Sequence, residues 1–300
     1  MSQSYLAIVN PAAGGGRGRR NLSAALDRLR AEGVAIDVEE TQGAGDATRI
    51  ARAAYAQGRR EFIAVGGDGT SYEVVNGLFP EASAGGRPTL GFLPLGTGNS
   101  FLRDFSDRGL EHAIESLLAG RRQSCDVLRL RHREGVIHYI NLLSVGFPAD
   151  VAALRARRFS GHGELGYVIS IFLGLARLDR RPFPVRVNQE TEFDRRRCLF
   201  LTFNNSKFTG GTMMIAPKAK VDSGLVEFVR WGAIGRLGLM RNLPKLYDGT
   251  HIEHPLAERK AVKRVEFDLD APVDVMVDGE VLRLHCEELD VLPGALNVVA

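Results

Sequence analysis

Tyr5–Val9 is an apolar run that breaks at Asn10-Pro11 and leads, past a glycine cluster, into leucines at helical spacing over Asn21–Ala31. The rhythm repeats: Val34–Glu40 reads as a strand, Asp46–Gln57 as a helix, Phe62–Val65 as a buried strand and Ser71–Leu78 as a helix. Thr89–Leu93 then reads as a strand stopped by Pro94. Alternating strands and helices predict a doubly wound parallel sheet whose strand ends face a ligand crevice. From about Cys125 the pattern changes. Asp126–His132, Val136–Leu143, Val185–Glu190, Cys198–Asn204, Leu225–Trp231, Val262–Asp268 and Val273–Val277 alternate apolar and polar positions, with turn residues between many of them. The expectation is an α/β N-terminal domain with a parallel sheet over residues 1–125, then an antiparallel β-sandwich domain over 126–287. Helices are expected inside the second domain at Leu165–Leu178 and Ile234–Leu246, and residues 288–300 are free to return to the first.

A chain of 300 residues suits two domains of this size. Apolar residues at 44% and charged residues at 25% exclude the disordered and fibrous classes. The formal charge of +3 does not call for a nucleic-acid partner, and it suits a protein that visits an anionic membrane surface. Cys125, Cys198 and Cys286 form neither a disulfide framework nor a CxxC metal pair, so a reducing cytoplasm is expected. The first residues read as a strand and not a signal peptide. The most apolar window, Leu165–Leu178, is shorter than the roughly 20 residues that span a bilayer. No transmembrane anchor and no lipidation motif are expected.

Candidate chemistry sits in the glycine-rich turns. Val65-Gly66-Gly67-Asp68-Gly69-Thr70 joins a buried strand to a helix, where glycines let the backbone approach a phosphate and the helix N-terminus supplies N–H groups. Asp68 could hold a magnesium ion there, or could simply cap the helix. Leu93-Pro94-Leu95-Gly96-Thr97-Gly98-Asn99 and Asn10-Pro11-Ala12-Ala13-Gly14-Gly15-Gly16 also follow strands, so three such turns are expected on one sheet edge. They are not a Walker loop, since GxxxxGK[ST] is absent, nor a GxGxxG dinucleotide turn, since Arg19 and Phe101 stand at the required third glycines. Protein-kinase HRD and DFG strings are absent too.

Asn10–Gly14, Gly66–Leu78 and Pro94–Asn99, in this order and followed by Val277-Asp278-Gly279-Glu280, resemble the diacylglycerol kinase catalytic-domain family over nearly the whole chain. The family also includes phosphatidylglycerol, sphingoid-base and ceramide kinases. The resemblance implies an ATP- and Mg²⁺-dependent kinase acting on a lipid hydroxyl at the membrane surface, diacylglycerol first. It implies an ATP site lined by Asn10, Gly14, Gly15, Thr41, Gly66, Gly67, Asp68, Gly69, Thr70 and Thr97, with Glu73 supporting the glycine loop from its helix. Asp68 would be the metal ligand. Asp278 would come from the second, lipid-binding domain as general base, with Glu280 beside it. By itself, Asp278-Gly279 also reads as a hairpin turn.

The chain departs from the family at three places. Tyr72 stands where an Asn is common. Asn99 is followed by Ser100 where soluble bacterial diacylglycerol kinases have Asp, which loosens the claim to diacylglycerol and brings sphingoid bases or ceramide forward. Ser223, in Lys220–Leu225, stands where an acid would help hold a structural Mg²⁺; no tight site is expected there, with Gly224 alone keeping the turn. His251-x-x-His254 lacks a third ligand and reads as a surface loop. Arg155, Arg157 and Arg158 read as a solvated helix face or a membrane patch. NAD kinase, which shares the GGDGT turn, and a catalytically silent lipid-binding protein are the competing readings, and a homodimer is left open.

Overall fold

The computed structural model describes residues 4–13, 15–95, 99–159 and 163–300, with the side chains of 15–20 and 163–168 excepted. The chain divides into two compact units. The first runs through Val127 and adds His138–Ile140 and Leu292–Ala300; the second comprises Leu128–Ile137 and Asn141–Val291.

In the first unit, β1 (Tyr5–Val9), α1 (Gly15–Ala31), β2 (Ile36–Glu40), α2 (Asp46–Ala56), β3 (Glu61–Gly66), α3 (Asp68–Leu78), β4 (Thr89–Pro94) and α4 (Gly109–Ala119) follow one another. The strands pair in parallel in the order β2-β1-β3-β4. All residues of β1, β3 and β4 are buried, as expected of strands covered on both faces. One face packs Ala7, Val9, Ile63, Val65 and Leu93 against Leu22, Leu26 and Leu29 of α1 and Leu117 of α4. Each large aliphatic side chain buried there contributes roughly 1.5–3 kcal/mol relative to exposure. α4 is absent from the pattern reading above, although Leu110, Ala113, Ile114 and Leu117 recur at helical spacing. The chain returns to this sheet at its end, where Asn297–Val299 pair in parallel with Thr89–Gly91.

The second unit is built on two sheets. It takes in half of β5 (Gln123–His132) and most of β6 (Gly135–Tyr139), then β7 (Leu142–Gly146), α5 (Phe147–Arg158), α6 (Gly163–Ala176), β8 (Arg181–Pro182), β9 (Val185–Val187) and β10 (Arg197–Asn204). There follow β11 (Phe208–Thr209), β12 (Met213–Met214), β13 (Val226–Gly232), α7 (Arg236–Asn242), α8 (Lys245–Asp248), β14 (Ala257–Val262), β15 (Arg264–Phe267), β16 (Val273–Val277), β17 (Glu280–Leu284) and the start of β18 (Cys286–Val299), whose remainder belongs to the first unit. One antiparallel sheet runs β14-β13-β10-β7-β16-β17. β15 pairs antiparallel with β9 and β18 in the other, and Phe203 meets Phe267 edge-on at 5.3 Å between the two sheets. On its other face the first sheet carries Phe200, Val229 and Trp231 under Leu175 of α6 and Leu239 of α7.

The fold is the expected one, an α/β unit with a parallel sheet and an antiparallel β-sandwich, and its boundaries differ in instructive ways. The run Val136–Leu143 is two strands, broken at Ile140-Asn141, and Val262–Asp268 is divided between β14 and β15, which lie in different sheets. Pro244 splits the helix expected over Ile234–Leu246 into α7 and α8, since proline cannot donate in a helix interior. Arg155, Arg157 and Arg158 end a helix of their own, α5, where cations favour the negative dipole end, and Arg157 pairs with Asp274 at 3.1 Å. His251 corrects the surface-loop reading: it is fully buried, with Nε2 at 3.0 Å from the Ile215 carbonyl and its ring 5.9 Å from that of Trp231.

Candidate functional site

The strand order places a switch in the first unit: β1 lies between β2 and β3, so the chain leaves β1 to opposite sides in successive connections. Backbone bonds tie the strand ends there. Asn10 N–H donates to Val65 O at 3.0 Å, Thr41 N–H to Val9 O at 2.8 Å and Leu95 N–H to Gly66 O at 3.0 Å. The turns after β1, β3 and β4 therefore meet on one edge, as far as the described residues go. Gly14 and Thr97 lie outside them, and Gly15 opens α1.

Asn10 is held by its own turn. Its Oδ1 accepts the Ala12 N–H at 3.0 Å, and its Nδ2 reaches Thr70 Oγ1 at 3.5 Å. Thr70 is buried and lies against Gly66 so closely that a Cβ at position 66 would be 2.2 Å from Thr70 Oγ1. That contact is why the position takes glycine. Gly67 is the extended N-cap of α3 and no side chain caps the helix, so its first turn presents backbone N–H groups and positive partial charge. Gly69 follows in that first turn.

Asp68 is the first residue of α3. Both its carboxylate oxygens lie 3.1 Å from the Ser100 N–H. Burial pushes the carboxyl up to about 6, against opposing hydrogen bonds from the Ser100 backbone and hydroxyl and the Phe101 backbone. Beside it is a small recess lined by Gly66, Asp68, Ser71, Asn99 and Phe101. Among the described residues no three His, Cys, Asp or Glu side chains cluster as a metal site. Magnesium usually takes one or two carboxylates and completes its shell with waters and substrate phosphates, so the lone Asp68 fits the ion only in company with a nucleotide.

Glu73 departs from its expected place under its own loop. Its two oxygens accept Gly45 N–H at 2.8 Å and Ala47 N–H at 3.1 Å, closing the start of α2 beside Thr41. The carboxylate does for α2 what an N-cap side chain would do, and the N-cap Gly45, with φ +82°, has none to offer. Asn76, unassigned by the sequence, exchanges two hydrogen bonds with the His138 backbone at 2.8 and 2.9 Å.

In the second unit Asp278 is the first residue of the two-residue hairpin between β16 and β17. Its φ of +45° and the +90° of Gly279 make the type I′ turn that Asp-Gly favours. A turn tip is ordinarily exposed, yet Asp278 is 3% exposed. Its Oδ1 accepts Asn141 N–H at 3.1 Å and Leu142 N–H at 2.9 Å, and its own N–H donates to Leu142 O at 3.0 Å. The break between β6 and β7 turns those two consecutive N–H groups onto one oxygen. Asn141 Oδ1 accepts the Ser206 hydroxyl, and Asn141 O accepts Asn205 N–H at 2.8 Å. Asn141, Asn205 and Ser206 were missed by the sequence reading; the legible signal was three small polar residues, Asn204–Ser206, ending an apolar strand. Glu280 is exposed at the start of β17, so the two acids of the motif stand in different surroundings.

The turn Lys220–Leu225 holds one correction. Gly224 has φ +67° as a glycine turn requires, but it does not keep the turn alone: the Ser223 hydroxyl lies 3.2 Å from both the N–H and the carbonyl of Leu225.

Comparison with known proteins agrees with these features. Residues 4–130 match the diacylglycerol kinase catalytic domain, and residues 141–300 match the YegS C-terminal NAD kinase beta sandwich-like domain. A diacylglycerol kinase of Mycobacterium tuberculosis is 29% identical over 299 residues, covering 98% of this chain and 94% of that protein. A Salmonella gallinarum protein described as "Probable lipid kinase YegS" is 30% identical over 281 residues, covering 92% and 90%. The crystal structure of a diacylglycerol kinase from Bacillus anthracis superposes with a TM-score of 0.73 at 21% identity, covering 99% of this chain and 96% of that one, which shows the shared fold. The protein belongs to the diacylglycerol kinase and YegS-like family of lipid kinases.

Proposed function

We propose that the protein transfers the γ-phosphoryl group of ATP to a lipid hydroxyl, with diacylglycerol as the first substrate and phosphatidic acid as its product. The observation that carries this is the meeting of the Asn10, Gly66–Thr70 and Leu95 turns around the uncapped start of α3. Backbone N–H groups at such an edge suit the phosphates of a nucleotide. Asn10, Thr41, Gly66, Gly67, Gly69 and Thr70 are assigned to the nucleotide, with Gly14, Gly15 and Thr97 on the adjoining turns. Glu73 acts by fixing the turn beside Thr41.

Asp68 is assigned to Mg²⁺, which would neutralise charge on the transferring phosphoryl group. Asp278 is the general base. Its Oδ1 is fixed by two N–H groups, and the carboxylate receives the proton of the acceptor hydroxyl as that oxygen forms a bond to the γ-phosphorus and the bond to the ADP oxygen breaks. Exposed Glu280 adds negative charge to the neighbourhood and is not needed for the proton.

The test is a lipid panel in mixed micelles with radiolabelled ATP, run beside NAD. Label entering diacylglycerol is the expected result. Label entering only sphingoid base or ceramide would move the substrate, label in NAD would move the class, and none in any acceptor would sink the kinase reading. A sphingoid-base or ceramide acceptor is favoured as second choice by Ser100, whose hydroxyl hydrogen-bonds Asp68 where a second acid would otherwise stand.

A further inference from the structure

Most large apolar side chains of the second unit are inside it, but Phe172, Leu237, Met240 and Tyr247 are 64%, 67%, 55% and 55% exposed. They lie on elements that cover one face of one sheet. Leu175 of α6, Leu239 of α7 and Leu246 of α8 pack into a single core with Val229 and Trp231, so the opposite sides of these helices face away from that sheet together. Arg236 fixes the arrangement: its guanidinium donates to the carbonyls of Leu175 and Ala176 at 3.0 and 2.9 Å, fastening the start of α7 to the end of α6. On α7 the outward positions 237, 240 and 241 are spaced by three and four residues, one side of a helix.

Many cations of the unit are neutralised in place. Arg129, Arg131, Arg186, Arg230, Arg259 and Arg264 each pair with a carboxylate. Arg177, Arg241 and Lys245, exposed at the rim of the patch, pair with none among the described residues. Two acids border the patch, and neither reaches these three cations. Asp248 accepts the N–H and hydroxyl of Thr250 at 2.9 and 2.6 Å, and Asp179 lies 3.7 Å from Arg181. Exposed apolar side chains beside three cations that have no carboxylate partner among the described residues are complementary to a surface with an apolar interior and anionic head groups.

We propose that the outward sides of α6, α7 and α8 are the face by which this protein docks on an anionic bilayer. Phe172, Leu237 and Met240 enter the acyl boundary, while Arg177, Arg241 and Lys245 reach the head-group phosphates with their aliphatic stems along the apolar patch. This deepens the lipid-kinase reading and rests on it for its purpose, since a water-borne enzyme must reach an acceptor held in a membrane. Arg155, Arg157 and Arg158, the basic cluster legible in the sequence, are not part of the face, and Arg157 is already paired with Asp274.

The experiment is sedimentation with vesicles of phosphatidylcholine alone or with phosphatidylglycerol, read without catalysis. Wild-type protein is expected to bind the mixed vesicles more tightly, and less so as salt rises. Leu237→Glu/Met240→Glu should lower partitioning by ~10-fold or more, and Arg241→Glu/Lys245→Glu by about fivefold for each cation removed. Both keep the wild-type melting temperature because all four side chains are exposed, and Arg155→Glu/Arg158→Glu should bind as wild type. Wild-type protein that ignores vesicles, or face variants that bind as it does, would overturn the proposal. So would a Leu237→Glu/Met240→Glu variant that loses only self-association by light scattering, which would give the face to a second copy of the chain. Phosphorylation of a short-chain diacylglycerol in detergent, measured on the same proteins, judges the kinase reading separately: it should survive in every variant, and its absence from the wild type would fault that reading and not the docking face.

Discussion

Asp68 and Ser100 are joined through both carboxylate oxygens, each 3.1 Å from one backbone N–H. The contact matters because burial pushes Asp68 up to about 6 despite it, so the residue titrates just below neutrality. If ionised Asp68 is needed to hold Mg²⁺ with the nucleotide, kcat/KM for ATP should fall about tenfold per pH unit below about pH 6. Asp68→Asn should lower turnover by ~10²-fold or more and remove that limb. Stability runs the other way. A raised carboxyl binds its proton more tightly in the folded chain, so folding is favoured as pH falls from about 6 toward the ordinary value of 3.8, and the charged form is a burden at pH 7. Asp68→Asn should therefore lose activity at pH 7 without losing stability. A variant that retained the acid limb would assign the limb to another group.

Asp278 carries two duties that substitution can separate. Asparagine tolerates positive φ and keeps an oxygen for the Asn141 and Leu142 N–H groups, but it cannot take a proton from a hydroxyl. Asp278→Asn should lower kcat by ~10²-fold or more while ATP binding and melting temperature stay near wild type. Asp278→Ala leaves buried N–H groups without this acceptor and should cost about 1–3 kcal/mol of stability besides. Near wild-type turnover in the asparagine variant would remove Asp278 from the chemistry.

The strands and helices of the first unit were legible because each step in the pattern has a local cause. A buried apolar run ends at Asn10-Pro11, Gly66-Gly67 or Pro94, and these are residues that stop strands. The glycine turns were legible for the same reason. What the sequence hid depends on pairing across long separations. Nothing near Glu73 says that its carboxylate goes to Gly45 and Ala47, 28 and 26 residues away. Nothing near Asp278 says that its partners lie at Asn141 and Leu142, 137 and 136 residues away. The alternation over Val136–Leu143 concealed the break at Asn141 because an interrupted strand keeps the same two-residue period on either side. His251 was misread because spacing reports ligand geometry and is blind to burial.

Gly66 offers a test of packing at the edge of the sheet. An added methyl would lie 2.2 Å from Thr70 Oγ1 and 2.8 Å from its Cβ, both inside contact distance. Thr70 is buried on the first turn of α3 and cannot swing away freely. Gly66→Ala should destabilise the protein by about 1–3 kcal/mol in urea unfolding and weaken ATP binding with it. Adding Thr70→Ala removes the nearer of the two approaches and should restore part of the loss, a coupling readable in a double-mutant cycle. Strict additivity of the two substitutions would mean that the strain lies elsewhere.

The last expectation concerns acid and the core of the second unit. His251 is fully buried beside Trp231, with Nε2 3.0 Å from Ile215 O and Nδ1 3.4 Å from Lys245 O. Burial holds its pKa below the ordinary 6.5, and the hydrogen bonds to those two carbonyls offset this only in part. The unfolded chain takes up the proton first as pH falls, so the folded state loses stability from about pH 6.5 downward until the native imidazole also titrates. Over that window the loss approaches 1.4 kcal/mol per pH unit for a single proton. His251→Gln carries no titratable group and should lack this component, although it will be less stable than wild type at pH 8. Urea unfolding of both proteins between pH 8 and 5 measures the difference directly: the gap between them should narrow as pH falls. Parallel curves for wild type and variant would show that His251 keeps its ordinary pKa in the fold, and that burial against Trp231 costs the imidazolium nothing.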